Sequence, residues 1–115
     1  MHEYSIIQAL LQRVEAEARE RHAVSIGHLR VALGELSGVD PELLKSAYEV
    51  FRERTLCHKA DLEIRAVPAV WVCPACGRSL ARGEVLRCLS CQAPARLAAG
   101  DEIVLEQIEM EVNDV

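Results

Sequence analysis

Four cysteines in the second half of the chain form two pairs with equal spacing. Two residues separate Cys73 from Cys76 and Cys88 from Cys91, and eleven residues lie between the pairs. A Cys-x-x-Cys turn presents both sulfurs to one ion, and four thiolates suit a tetrahedral divalent metal. A closed shell of four sulfurs leaves no open position for catalysis. The spacing therefore predicts a structural zinc site, with iron as the alternative metal.

The residue that follows each cysteine pair affects how well its turn can form. Backbone N–H groups approach a sulfur in such turns, and a residue with positive φ helps them to do so. Gly77 follows the first pair and suits this conformation, whereas Gln92 after the second pair suits it less well. The surrounding stretch has few large apolar residues, so we expect bound metal to supply much of its folding free energy.

The fifth cysteine, Cys57, lies outside these pairs and next to His58. A single cysteine near a helix end is most often a small buried apolar residue, and a second metal position is the alternative. The chain has no apolar run that could span a bilayer, and its first twenty residues carry charges that are untypical of a signal peptide. These features predict a cytoplasmic protein whose cysteines stay reduced, which indicates metal or redox chemistry and not disulfides.

The amino terminus is a second group with metal-binding chemistry. Met1 supplies a free amine, His2 an imidazole and Glu3 a carboxylate. The amine, the amide nitrogen of His2 and its imidazole can close fused chelate rings, and nitrogen ligands in one plane suit Ni(II) or Cu(II). Protons compete with such a metal, because a free amine has a pKa of about 7.7–8.0. A solvated terminus is the alternative, since this ligand set also arises by chance.

Composition and charge exclude some functions. The chain of 115 residues has a net charge of −5 and only four aromatic residues, which argues against a general nucleic-acid binder. Residues 101–115 contain six acidic residues and no basic one. The cysteine-rich stretch is basic instead, with four arginines against Glu84: Arg78, Arg82, Arg87 and Arg96.

Three other classes of protein remain as alternatives. A rubredoxin-like electron carrier would use the four thiolates on iron and would be red. A zinc ribbon that binds nucleic acid would use the four arginines, and its affinity would fall steeply with salt. An enzyme is the weakest alternative, because we find no nucleophile–base pair, no phosphate loop and no open zinc position.

Hydrophobic periodicity predicts the elements that must position these residues. Apolar residues with helical spacing predict a helix over residues 4–21. Alternation with a period of two predicts strands over 24–36, 61–67 and 102–112, the last with a bulge near Glu106 and Gln107. Asp40 followed by Pro41 predicts a capped helix start, and this helix should end near Thr55.

This order of elements predicts an α+β fold. The three strands can form one small sheet with both helices on one face. The cysteine-rich stretch, residues 68–100, leaves the sheet and returns to it as an inserted zinc hairpin. Two domains are therefore expected: residues 1–67 with 101–115, and residues 68–100.

Several segments together resemble the HypA/HybF family of hydrogenase nickel-insertion proteins. The resemblance extends over nearly the full length and rests on the two cysteine pairs and four further segments: Met1-His2-Glu3-Tyr4-Ser5, Gly34-Glu35-Leu36-Ser37-Gly38-Val39-Asp40-Pro41, Ala47–Phe51-Arg52-Glu53 and Leu62-Glu63-Ile64. The combination is specific, although no single segment is.

The resemblance implies a metallochaperone that carries Ni(II) to the large subunit of [NiFe]-hydrogenase. It implies the GTPase HypB as a partner and urease as a further client in some organisms. By the same resemblance His2 is the nickel ligand, the Met1 amine lies near it, and Glu3 and Asp40 are acidic neighbours. Zinc is then held by Cys73, Cys76, Cys88 and Cys91. Gln92 departs from the glycine that the family usually has after the second pair.

Overall fold

The structure, a computed structural model, describes residues 2–80 and 83–112, with the backbone alone for residue 2. Two helices and six strands are assigned within these ranges. In chain order they are α1 (His2–Glu20), β1 (Ala23–Gly34), α2 (Pro41–Phe51), β2 (Asp61–Val67), β3 (Val70–Val72), β4 (Ser79–Leu80), β5 (Arg96–Ala99) and β6 (Ile103–Val112). No helix in the described part of the chain is long and apolar enough to cross a membrane.

The larger sheet has the three strands that the alternation predicts. β1 lies in the centre, parallel to β2 and antiparallel to β6. The predicted bulge in β6 is confirmed: Gln107 is opposite Arg30 and Leu105 is opposite Val31, so that Glu106 is the extra residue. The bulge lets apolar residues on both sides of it face the same core.

Both helices pack on one face of this sheet, as predicted. α1 buries one stripe, and α2 adds Leu44, Ala47 and Tyr48 to the same core. The side chains of β1 alternate, so that Leu29, Val31 and Leu33 join this core. The buried residues of α1 are Ile7, Leu11, Val14 and Ala18.

Helix α2 begins as predicted but ends at Phe51, so the prediction of an end near Thr55 is wrong. Arg54 has φ of 69°, a left-handed conformation that cannot continue a helix. The chain turns back here because the Tyr48 hydroxyl donates to the Ala60 carbonyl at 2.7 Å and the Arg52 guanidinium donates to the same oxygen at 2.8 Å. These contacts join residues that are distant in sequence, and helical periodicity does not report them.

Cys57 lies in the turn that follows α2 and is completely buried in the core. This agrees with the prediction that it is a small apolar residue. Burial raises the pKa of its thiol, which keeps the group protonated and unreactive at neutral pH.

Residues 68–100 contain a second three-stranded sheet, in the order β4-β3-β5. Trp71 on the central strand is opposite Leu80 on β4 and Leu97 on β5. These strands have two to four residues each. They are too short for alternation to reveal, so the sequence predicted only a hairpin here.

The turn after β1 joins the two sheets. The Glu35 N–H donates to the Val67 carbonyl at 2.8 Å, and the Leu36 N–H donates to the Gly100 carbonyl at 2.7 Å. The Glu35 carboxylate accepts a hydrogen bond from the Ala69 N–H at 2.8 Å. The two connections that lead into and out of residues 68–100 are therefore both bonded to one turn of the larger sheet.

Candidate metal centres

The four paired cysteines converge on one point. Their sulfur atoms all lie within 4.8 Å of one another, and those of Cys76 and Cys88 are 3.9 Å apart. Cys73 and Cys88 are buried, whereas Cys76 and Cys91 are exposed. The predicted convergence of the two pairs is confirmed, and a tight group of four sulfurs fits zinc.

The first cysteine turn begins where β3 ends. The Gly77 N–H donates to the Cys73 carbonyl at 2.8 Å, and the Ala75 N–H donates to the Cys73 sulfur at 3.4 Å. Gly77 has φ of 78°, in the left-handed region that its lack of a Cβ allows. The Cys73 N–H donates to the Arg78 carbonyl at 2.9 Å and closes the turn.

The second turn repeats this pattern with a residue that is less suited to it. The Gln92 N–H donates to the Cys88 carbonyl at 2.9 Å, as Gly77 does in the first turn. Gln92 has φ of 58°, which confirms that its position needs the left-handed conformation. Its side-chain amide donates to the Leu89 carbonyl at 3.1 Å, and Arg87 donates to the Gln92 carbonyl at 2.5 Å. These bonds help to hold a conformation that glycine would adopt more readily.

Backbone N–H groups and neighbouring thiols shift the pKa values of the cysteines in opposite directions. The Cys91 N–H, followed by that of Ser90 and by the Arg78 guanidinium, helps to lower the pKa of Cys88 to about 6. The Cys76 N–H lowers the pKa of Cys73. Hydrogen bonds with Cys76 and Cys73 raise the pKa of Cys91 to about 12.

The opposite pKa shifts of the cysteines indicate that the four sulfurs need a bound cation. Sulfurs this close cannot all carry a negative charge without a cation between them, because like charges repel strongly at short distance. A divalent cation removes that repulsion and allows four thiolates to form together. The site therefore has the chemistry of a closed tetrathiolate centre.

Arg78 is a residue near this centre whose position the sequence did not reveal. Its guanidinium lies 3.9 Å from the Glu84 carboxylate, and its interaction with the Cys88 sulfur raises the pKa of Arg78. The sequence showed only that the stretch is basic. The position of Arg78 directly after the first turn indicates that it lies near the cysteines. Its proximity to Cys88 could not be predicted, because it depends on how the second turn folds back.

The structure brings together two of the residues that the sequence assigned to nickel. The buried Glu3 carboxylate accepts a hydrogen bond from the Asp40 N–H at 3.2 Å. Asp40 in turn caps α2, because its carboxylate accepts from the N–H groups of Glu42 at 2.9 Å and Leu43 at 3.3 Å. A residue near the start of α1 is thus bonded to the residue that begins α2.

The other two residues that were predicted to bind nickel, Met1 and His2, are not described in full. Met1 lies outside the described residues, and for His2 only the backbone is described, as the first residue of α1. The start of α1 is packed against α2 by Tyr4 and Phe51, whose rings meet edge to face with centroids 5.5 Å apart. Among the side chains that the structure describes, the four paired cysteines are the one group of three or more His, Cys, Asp or Glu residues that could hold a metal ion.

Comparison with known proteins places this arrangement in a family. The model of the HypA family, described as hydrogenase/urease nickel incorporation, metallochaperone, matches residues 1–110. The hydrogenase maturation factor HypA of Wolinella succinogenes is 42% identical over 99% of this chain and 98% of its own length. That of Aquifex aeolicus is 36% identical over 98% of this chain and all of its own.

Solved structures agree with the sequence relatives. The solution structure of the Ni metallochaperone HypA from Helicobacter pylori superposes with a TM-score of 0.73 at 30% identity, covering 96% of this chain and 98% of that one. A second solution structure of a HypA protein gives a TM-score of 0.80 at 30% identity and covers 98% of both chains.

Proposed function

Because this chain belongs to the HypA family of hydrogenase and urease nickel-incorporation proteins, we propose that it is a nickel metallochaperone. It binds Ni(II) at its amino terminus and delivers the ion during maturation of [NiFe]-hydrogenase, and in some settings of urease. The observation that supports this most directly is the contact between Glu3 and Asp40, which gathers acidic groups beside the start of α1. We propose that the protein acts as a carrier in the cytoplasm and not as a catalyst.

The proposed nickel ligands are the Met1 amine and the amide and imidazole nitrogens of His2. Nitrogen ligands that close fused chelate rings suit Ni(II). Glu3 and Asp40 act as acidic neighbours, because negative charge near the site favours a bound cation. The hydrogen bond between Glu3 and the Asp40 N–H holds this acidic pair next to the residue that carries the imidazole.

An amino-terminal extension tests this ligand set. Adding Gly-Ser before Met1 keeps every side chain but converts the amine into an amide, so nickel affinity should fall by orders of magnitude, about as far as in His2→Ala. Isothermal titration with Ni(II) on untagged protein measures this, and zinc content and the helical circular dichroism signal serve as controls. Nickel affinity should also fall as the pH is lowered from about 8 to about 6, since protons compete with the metal for the amine and the imidazole. Equal affinity in the extended and native chains would exclude the amine as a ligand.

We propose that Cys73, Cys76, Cys88 and Cys91 hold one structural zinc ion and that residues 68–100 form a zinc-binding unit. The remaining residues, 1–67 and 101–115, form the nickel-binding unit. Four sulfurs within 4.8 Å of one another support this assignment. Metal analysis of the purified protein distinguishes zinc from iron, and a red protein would contradict the zinc assignment.

The proposed partners are the GTPase HypB and the large subunit of [NiFe]-hydrogenase. We propose that the GTPase binds the nickel-binding unit, because nickel must pass between sites and α1 begins at the proposed nickel ligands.

Gln8 and Gln12 lie one turn apart on the exposed side of α1, so substitutions there test the proposed interface without disturbing the core. The double variant Gln8→Arg, Gln12→Arg should weaken HypB binding in a pull-down or titration. Ser79→Arg, an exposed change in the zinc-binding unit, should not. The reverse result would move the interface to that unit.

A further inference from the structure

Arg78 occupies a specific position beside the four sulfurs. Its carbonyl accepts the hydrogen bond from the Cys73 N–H that closes the first turn. Its guanidinium lies 3.9 Å from the Glu84 carboxylate and interacts with the sulfur of Cys88 from the second turn, which lowers the pKa of that thiol. One residue therefore contacts both cysteine turns, through its backbone on one side and its side chain on the other.

The register of the smaller sheet shows why the Arg78 side chain reaches the sulfurs. Val72 is opposite Ser79 in the β3–β4 ladder, and the hydrogen bond between Cys73 and Arg78 extends that ladder by one pair. Residues opposite each other in an antiparallel ladder project to the same face. Arg78 therefore shares a face with Cys73. Arg96 is opposite Val72 and belongs to the other face.

The net charge of the proposed zinc site explains why a positive side chain at position 78 would stabilise it. Four thiolates around one divalent cation carry a net charge of −2, and a buried negative charge is costly unless a positive group or hydrogen-bond donors compensate it. Arginine keeps its positive charge and presents donors in a fixed fork. The Arg78 side chain is 39% exposed, and its guanidinium lies 3.9 Å from the Glu84 carboxylate.

We propose that Arg78 is a positioning residue of the zinc site, which compensates the charge of the tetrathiolate centre and lowers the donor strength of the Cys88 thiolate. This inference rests on the proposed occupancy of the four cysteines by zinc. Groups that hydrogen-bond metal ligands commonly change metal affinity by about 10- to 100-fold. Because Arg78 is partly exposed, we expect the lower end of that range.

The test replaces Arg78 with methionine, which keeps an apolar stem and removes the charge and the donors. Arg96→Met is the matched control, an exposed arginine of the same unit on the opposite face. Each full-length chain is loaded with Co(II) as a spectroscopic probe and is then titrated with zinc in competition with a chelator. In Arg78→Met the sulfur-to-cobalt charge-transfer band should move to lower energy while the tetrahedral ligand-field bands persist. Zinc affinity should fall about tenfold. Arg96→Met should match the native chain.

The position of the sulfur-to-cobalt charge-transfer band distinguishes charge compensation by Arg78 from a purely structural role. A loosened turn would lower affinity without changing the donor strength of the sulfurs that remain bound. An unshifted band in Arg78→Met, whether or not zinc affinity falls, would overturn the proposal. If the methionine variant does not assemble its site, Arg78→Gln, which removes the charge but keeps a polar side chain, is compared with Arg96→Gln: a shift in the former alone supports the proposal, and no shift in either overturns it. A native chain without a four-thiolate cobalt spectrum would instead contradict the zinc site itself.

Discussion

At the scale of single residues, Asp40 has two functions that its chemistry allows it to combine. Its carboxylate caps α2 by accepting from two backbone N–H groups, and its own N–H donates to the Glu3 carboxylate. Such a cap stabilises the helix, because it satisfies N–H groups that have no partner within the helix. The same residue therefore stabilises an element and fixes a carboxylate of the proposed nickel site.

Two substitutions at Asp40 separate these functions. Asp40→Ala removes the cap and should lower the free energy of unfolding by about 1 kcal/mol in urea denaturation. Asp40→Asn keeps a good capping side chain and should change stability by only about 0.3 kcal/mol. Both variants lose the carboxylate charge, so both should bind Ni(II) more weakly than the native chain. Native nickel affinity in Asp40→Asn would mean that Asp40 acts only as a cap.

At the scale of elements, the turn after β1 determines how residues 68–100, the proposed zinc-binding unit, are attached. Gly34 and Gly100 pack backbone to backbone, and a Cβ added to either would collide with the neighbouring backbone. Gly100 also has φ of 103°, a conformation that side chains rarely adopt. The attachment therefore depends on two residues without side chains and on the hydrogen bonds of Glu35 and Leu36.

Adding a single methyl group at this attachment should be costly. In Gly100→Ala the new Cβ would lie 2.5 Å from the Cα of Ala69, and the backbone would be strained as well. We expect a loss of about 2–3 kcal/mol in the free energy of unfolding, measured in urea. Gly27→Ala is the control, because no atom lies within 4 Å of its added Cβ and its φ is not positive. Equal effects of the two substitutions would show that the close packing at Gly100 is unimportant.

At the scale of the whole molecule, the two sheets differ in what stabilises them. The larger sheet and its helices share one buried core, to which Leu29, Leu44 and Tyr48 contribute. Among the described residues of the smaller unit, the buried apolar side chains are those of Cys73, Leu80 and Cys88. Large apolar side chains near the second cysteine turn are exposed instead, namely Val85, Leu86 and Leu89. Because so little apolar surface is buried in the smaller unit, we expect the proposed zinc ion to supply part of its stability.

Loss of zinc should therefore loosen one unit and spare the other. Cys76→Ser or Cys88→Ser should lower zinc content and make residues 68–100 sensitive to limited proteolysis, while the helical circular dichroism signal persists. Cys57→Ala is the contrasting variant. It should lower stability, because its sulfur is buried in the main core, and should leave zinc content at the native level. Native zinc content in both serine variants would contradict the assignment of the ligands.

The sequence alone determined the features that depend on local spacing and local period. The two cysteine turns, the capped start of α2, the buried stripe of α1 and the bulge at Glu106 could all be predicted, because each is encoded within a few neighbouring residues. The left-handed conformation at Gln92 was predictable for the same reason. The nickel ligands Met1 and His2 remain a prediction, since Met1 and the side chain of His2 lie outside the described atoms.

Only the tertiary structure decided the features that join distant residues. Helix α2 ends at Phe51 because Tyr48 and Arg52 bond to Ala60, and the smaller sheet exists because short strands from both ends of the unit meet. The contacts of Glu3 with Asp40 and of Arg78 with Cys88 have the same origin. Such contacts depend on how separate elements pack in space, which no local pattern of residue types records.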